Sequence, residues 1–221
     1  SPNACNLCHE EKDAAWADGW VRRWRKRDYQ APVLHRAGLV EAARRRDWKR
    51  LPDILAYLGA KERDAVSAAS LIRLIRPCDD ERKWPALVRA LADPSPLVRS
   101  SAAEQLGDRV DAPALAALGG AVRDPSRLVR IRAAAALAAV PREMLDPGTA
   151  EAFDRAAAEF KATLDARPDH WASHFNLGGF HFSLGEYGRA AQLYETAIRL
   201  APREIMPQVN VSFAYNALGK N

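Results

Sequence analysis

The first residues able to do chemistry are Cys5-Asn6-Leu7-Cys8-His9. Two thiols three positions apart, followed at once by an imidazole, suit covalent attachment of a haem. The thiols add to its two vinyl groups, and His9 reaches the iron from the same side as an axial ligand. Two rival chemistries use the same residues. A zinc site needs two further ligands, for which Cys78 and His35 are on hand at no recognisable spacing. A redox dithiol of the thioredoxin kind needs a βαβ setting, which a helical chain lacks. Haem is therefore the reading carried forward. For the distal side of the iron the chain offers His35, turning back from the loop before the next helix; the plainer alternative is a loop histidine with no such role.

A helix must present this motif. Trp16, Trp20 and Trp24 recur every four residues and so line one helical face. They either cover a haem edge or dock that helix on the first repeat, and both hold if haem sits at the junction. Further along, Asp93, Asp124, Arg99 and Arg130 could be argued into an acid–base constellation, but capping and salt bridges between stacked helices explain them more simply. No nucleophile–base pair or carboxylate pair stands out, so no catalytic residue is assigned and no enzyme is expected.

The composition fits helices. Of the 221 residues 48% are hydrophobic and 28% charged, a globular balance that excludes disorder. Ala, Leu and Arg are plentiful while aromatics make up 8%, which favours helical backbone. No stretch is long and apolar enough to span a membrane. The net charge of +5 arises within residues 1–50, where 12 Lys and Arg face 7 Asp and Glu; the remainder balances. Such a basic start could hold an acidic partner, a nucleic acid or haem propionates, or be solvated arginine on helix faces. With no nucleic-acid-binding module in view, nucleic acid is not expected. The chain opens on Ser1 without a methionine and stops within a repeat, which predicts a piece of a longer protein with any targeting signal elsewhere. The haem motif itself predicts a periplasmic or otherwise extracytoplasmic setting.

Three zones succeed one another: residues 1–35 with the motif and the Trp-rich helix, residues 36–147, and residues 148–221. In the second, Asp93-Pro94-Ser95 with Leu97-Val98-Arg99, Ala102-Ala103 and Leu106 returns 31 residues later as Asp124-Pro125-Ser126 with Leu128-Val129-Arg130, Ala133-Ala134 and Leu137. A degenerate copy starts at Asp64, with Val66 lying 32 before Val98. Asp-Pro ends one helix and opens the next, and small Ala residues let helices approach. The pattern resembles HEAT-like repeats over residues 48–140. In the third zone Leu177-Gly178, His181, Gly185, Tyr187, Ala190, Tyr194, Ala197 and Pro202 resemble a tetratricopeptide (TPR) repeat over residues 171–204, with neighbouring helices 34 residues to either side. His170 and His174 stand one turn apart and invite a metal. In the TPR likeness, however, His174 and His181 take the places of Trp and Tyr in the helix-pair core. The likeness also implies a concave groove lined by Phe175, Phe182, Met206, Val209 and Phe213, able to accept a helix or extended peptide, or else to pack on a further repeat. The Lys and Asn of the TPR clamp for C-terminal carboxylates are absent, Phe175 and Gly179 standing at two of those positions.

The order of the zones, from Pro2-Asn3-Ala4-Cys5-Asn6-Leu7-Cys8-His9 through Trp16-Ala17 and Trp24 into HEAT-like and TPR repeats, resembles the last haem-binding segment of bacterial multihaem c-type cytochromes. That likeness implies haem c on Cys5 and Cys8 with His9 proximal, further haem domains upstream in the same chain, and a distal histidine supplied from there. It also implies electron transfer joined to a protein-interaction scaffold; the alternative is a scaffold alone, with the motif unfilled. The expected fold class is all-α, an α-solenoid of HEAT-like helix pairs followed by TPR helix pairs, with roughly ten or more helices and no sheet. The two repeat types should meet near residues 141–147, where Asp146-Pro147-Gly148 breaks the pattern.

Overall fold

A computed structural model describes residues 4–25, 30–109 and 111–219. Pro2 and Asn3 of the haem-type segment, and Lys220 and Asn221 at the other end, lie outside the described residues. Among those described there are twelve α-helices, three short 3-10 turns and no strand, so the chain is all-α. A turn at Ala4–Leu7 leads to α1 (Ala14–Trp24) and α2 (Ala31–Arg44). The next six helices are α3 (Leu51–Gly59), α4 (Ala65–Leu74), α5 (Lys83–Ala90), α6 (Pro96–Leu106), α7 (Ala112–Ala121) and α8 (Arg127–Leu137). The last four, α9 (Pro147–Asp165), α10 (Trp171–Ser183), α11 (Tyr187–Leu200) and α12 (Ile205–Ala217), are longer.

Aspartates open many of these helices, because a free first-turn N–H needs an acceptor. Asp13, Asp64, Asp111 and Asp146 accept from the backbone N–H groups of Trp16, Ser67, Ala114 and Thr149 at 2.7–2.9 Å. The Asp-Pro-Ser turns work differently from the sequence expectation. Pro94 and Pro125 lie in the turn before the helix, not in its first turn, since α6 begins at Pro96 and α8 at Arg127. Asp93 and Asp124 there accept from the N–H of Ser95 and Ser126 at 2.8 and 2.7 Å, closing the turn two residues ahead.

The helices stack in two rows. α2, α4, α6, α8 and α9 lie side by side in one, α3, α5 and α7 in the other, and α9 touches both. The buried register explains the row. Leu71, Ala102 and Ala133 are each buried, as are Ile72, Ala103 and Ala134, and again Ile75, Leu106 and Leu137. This spacing is 31 throughout, so the 32-residue alignment of Val66 with Val98 is corrected: Val66 is exposed while Val98 and Val129 are buried. The physical reason is a size change, since Leu71 and Ile72 fill the places that alanines occupy in the two later copies, and the Ala68-Ala69 pair mimics them one turn too early.

A ladder of charges ties the stack together. Arg99 on α6 gives two hydrogen bonds to Asp124 in the next turn, at 2.7 and 2.9 Å, while its remaining nitrogen holds the carbonyls of Asp93 and Pro94. Arg130 on α8 repeats this, gripping the carbonyls of Asp124 and Pro125 and reaching Glu159 of α9 at 2.9 Å. In the first copy Ala68 stands 31 before Arg99, and Arg63, from the α3–α4 turn, pairs with Asp93 instead. The four residues that might have been a catalytic set are thus each committed to holding one repeat on the next.

One apolar core runs from Leu39 in α2 to Phe160 in α9 and Phe180 in α10. The change of repeat type near the 3-10 turn Arg142–Met144 is therefore not a break in packing, because α9 packs on α8 and on α10 alike. A second cluster holds Ala190, Ala191, Tyr194 and Ala214, with Phe175, Phe182, Val211 and Tyr215 against it. Here α10 and α11 approach so closely that a Cβ on Gly178 would lie 2.7 Å from the buried Tyr194 ring. Gly185, at φ +74°, makes the turn between them.

Two outcomes are expected. Arg99→Ala strands the Asp124 carboxylate, which is 10% exposed, and should lower unfolding stability by about 3 kcal/mol in a denaturant titration. Burial raises the Asp124 carboxyl, but the Arg99 guanidinium and the Ser126 N–H outweigh it and hold the group below the usual carboxylate range. The capping aspartates 64, 111 and 146 are lowered too, first by the Ser67, Arg109 and Thr149 side chains respectively. Carboxylates depressed in the folded state stabilise it above their unfolded value and lose that contribution as pH falls through the folded one. The melting temperature should hold steady down to about pH 4 and then drop, with a shallower drop in Asp124→Asn, which starts lower.

Candidate functional site

Two regions carry side chains that the stacking does not consume. The first is the N-terminal motif. Its turn closes on itself, with the N–H groups of Cys8 and His9 donating to the Cys5 carbonyl at 3.3 and 3.0 Å. The Asn6 amide spans onward to the carbonyls of Lys12 and His9, at 2.6 and 3.3 Å, so the link between motif and α1 is held in place. Cys5 is half-buried, Cys8 and His9 are exposed, and neither cysteine is in a disulfide. Asp13 then caps α1 and sets the first tryptophan. The His9 ring lies 4.8 Å from Trp16, Trp16 lies 6.4 Å from Trp20, and Trp20 lies 6.0 Å from Trp24. The Arg23 guanidinium covers the Trp20 ring at 4.9 Å.

The tryptophan row thus starts at the imidazole and runs outward. Its far end stands open among the described residues: Trp24 is 69% exposed, and of α1 only Ala17 is buried. Docking on the first repeat, one of the two readings of the row, leaves these exposed rings unexplained. At its polar side Asp18, paired with Arg22 of the same helix at 2.7 Å, accepts from Gln30 just before α2.

His35 is not on a loop. Pro32 fits the first helical turn, so α2 begins at Ala31 and carries His35 within it. The side chain is exposed, with its ring 6.0 Å from Tyr57 of α3. Cys78 is buried in the turn after α4, its carbonyl accepting from Lys83. Neither joins Cys5 and Cys8, and among the described residues no three His, Cys, Asp or Glu side chains gather as a metal set. The C-terminal histidines have separate neighbours: His174 Nε2 bonds the Pro168 carbonyl at 2.8 Å, His181 Nδ1 the Glu186 carboxylate at 2.5 Å, and His170 stacks on Trp171.

The second region is the face of α10 and α12. Neither helix contains a single Asp, Glu, Lys or Arg, in a chain that is 28% charged. The five expected groove residues divide. Phe175 and Phe182 are half-buried against the α11 cluster, 5.9 Å from Tyr194 and 5.1 Å from Tyr187 by ring centres. Met206, Val209 and Phe213 on α12 stand exposed. Ile205 joins them and escapes the sequence pattern, because it falls 34 residues after Trp171, at a place the repeat register assigns to helix entry. The absence of charge from α12 is the signal that could have found it.

Two family models match the repeats. A family model for HEAT repeats matches residues 51–138 and 84–159, and one for the tetratricopeptide repeat matches residues 149–205. The chain is a helical repeat protein. Its two repeat types overlap on α9, the helix that closes both rows, and such repeats form interaction scaffolds. No curated protein and no solved structure matches significantly.

The division of the groove can be measured. Phe182→Asp buries an unpaired carboxylate beside Tyr187 and should destabilise the fold by about 3 kcal/mol. Phe213→Asp should move stability by less than about 0.5 kcal/mol. Equal losses in paired thermal melts would mean that the α12 side chain is core.

Proposed function

We propose that this chain is a protein-interaction scaffold that presents the α10–α12 face to a partner. The observation that carries this reading is the pairing of two charge-free helices with exposed Met206, Val209 and Phe213. A solenoid helix facing water ordinarily carries charge on its outer side, so large apolar side chains there mark a surface that gains by being covered. The partner is a protein or peptide with an apolar face. In a binding assay against extract proteins, immobilised chain should retain a defined set that Phe213→Asp loses with its melt unchanged. An identical retained set for both would remove this face.

A second reading joins electron transfer to the scaffold, and the geometry at His9 favours it. The residues suit haem c: two thiols free of disulfides on one closed turn, an exposed imidazole next to them, and an indole already packed on that imidazole. Cys5 and Cys8 would hold the group covalently through their sulfurs and His9 would ligate its iron, with the Trp16 ring, 4.8 Å from the imidazole, helping to orient it. Bound there, the group supplies one-electron transfer. This reading carries with it an extracytoplasmic location, haem domains upstream in the same chain, and a distal ligand from those domains or from His35. Co-expression with cytochrome maturation machinery should yield protein whose pyridine haemochrome spectrum survives denaturing washes, and Cys5→Ala with Cys8→Ala should be colourless. Colourless wild-type protein under these conditions would end the haem reading and leave the scaffold standing.

A further inference from the structure

We infer that the cavity between the α3–α4 turn and the α5–α6 turn binds a small organic phosphate, a doubly charged group carried on an apolar body. The cavity holds about 560 Å³, which is the size of a small-molecule site. Its walls are apolar, supplied by Leu55 and Leu58 from α3 and by Ala86 and Ala90 from α5. The Arg63–Asp93 pair lines it as well. Those two side chains are only 9 and 7% exposed, and Arg63 Nε also donates to the Leu58 carbonyl at 2.7 Å, so this pair is fixed structure and carries no net charge.

Charge selects the ligand. Three cations, Lys61, Arg63 and Arg89, line the cavity against the one carboxylate of Asp93. With Arg63 spent on Asp93, Lys61 and Arg89 give the cavity its positive excess. Both are exposed, and among the described residues neither is paired with a carboxylate. Stacking does not call for them: one repeat later, 31 residues on, the same places hold Ala92 and Gly120. The cavity also lies at the junction where the arginine ladder departs from its rule, with Ala68 in place of a helix arginine. Ser95 adds a donor, since it lines the cavity just before α6 and its hydroxyl makes no capping bond. Two cations and a hydroxyl at a helix start suit the oxygens of a phosphate, whose charge near neutral pH is about −2. Apolar walls strengthen that attraction and take the rest of the molecule.

Calorimetric titration of the full chain with phenyl phosphate at low ionic strength tests this. Binding should saturate at one site, more tightly than for inorganic phosphate, which lacks the apolar body, or for benzyl alcohol, which lacks the charge. Lys61→Gln and Arg89→Gln should each weaken it about tenfold while the circular dichroism melt stays put, because both side chains are exposed. Arg203→Gln, an exposed arginine on the loop before α12, should leave it unchanged. Absence of saturable binding overturns the inference. So does binding that survives both cavity substitutions, or that inorganic phosphate or benzyl alcohol matches.

Discussion

The bridge from each arginine to the carboxylate of the next unit governs this molecule. A helix pair that buries its apolar side only on its neighbours has no closed core to fix its orientation, so something must set the step from one pair to the next. Arg99 and Arg130 do so by holding two things at once, the carbonyls of their own turn and the carboxylate ahead. Because both grips are bidentate or forked, the guanidinium fixes angle as well as distance. The alanine rows of α6 and α8 then lie close without slipping.

The same bridge shows how one repeat type passes into another. A strict 31-residue register would offer Arg130 the position of Arg155, a like charge. Glu159, one helical turn further along α9, accepts instead. The longer α9 can present a carboxylate where a turn did previously, and its far side is then free to pack on α10 through Phe160 and Phe180, whose ring centres lie 4.9 Å apart. The chain therefore changes repeat without interrupting its core.

Shared duty also decides how much of the molecule is legible in its sequence. Asp-Pro-Ser with Val-Arg recurs because each residue has the same structural duty in each copy, and periodicity reports that duty. Val66 misleads because the first copy trades alanine for Leu71 and Ile72, which preserves the fold while erasing its pattern. His35 reads as a loop residue because Pro32 fits a break and a first helical turn equally well. The N-terminal motif is legible as chemistry but not as geometry: nothing in the spacing of Cys5, Cys8 and His9 says that Trp16 packs on the imidazole, since that contact depends on the Asn6 bridge and the Asp13 cap between them.

Where duty to the stack ends, residue types change. Inside the solenoid most large side chains face a neighbouring helix, and most of the arginines are engaged with carboxylates or carbonyls. On α1 and α12 the large side chains face outward: Trp20 and Trp24 on one, Met206 and Phe213 on the other. Both helices could have been solvated at little cost by the lysine and glutamate that cover ordinary exposed faces. Keeping indoles and a phenylalanine there instead sacrifices solubility, which stacking alone gives no reason to do. On α12 the two sides divide cleanly: Ala214, with Val211 and Tyr215, belongs to the cluster shared with α11, while Met206 and Phe213 face away from it.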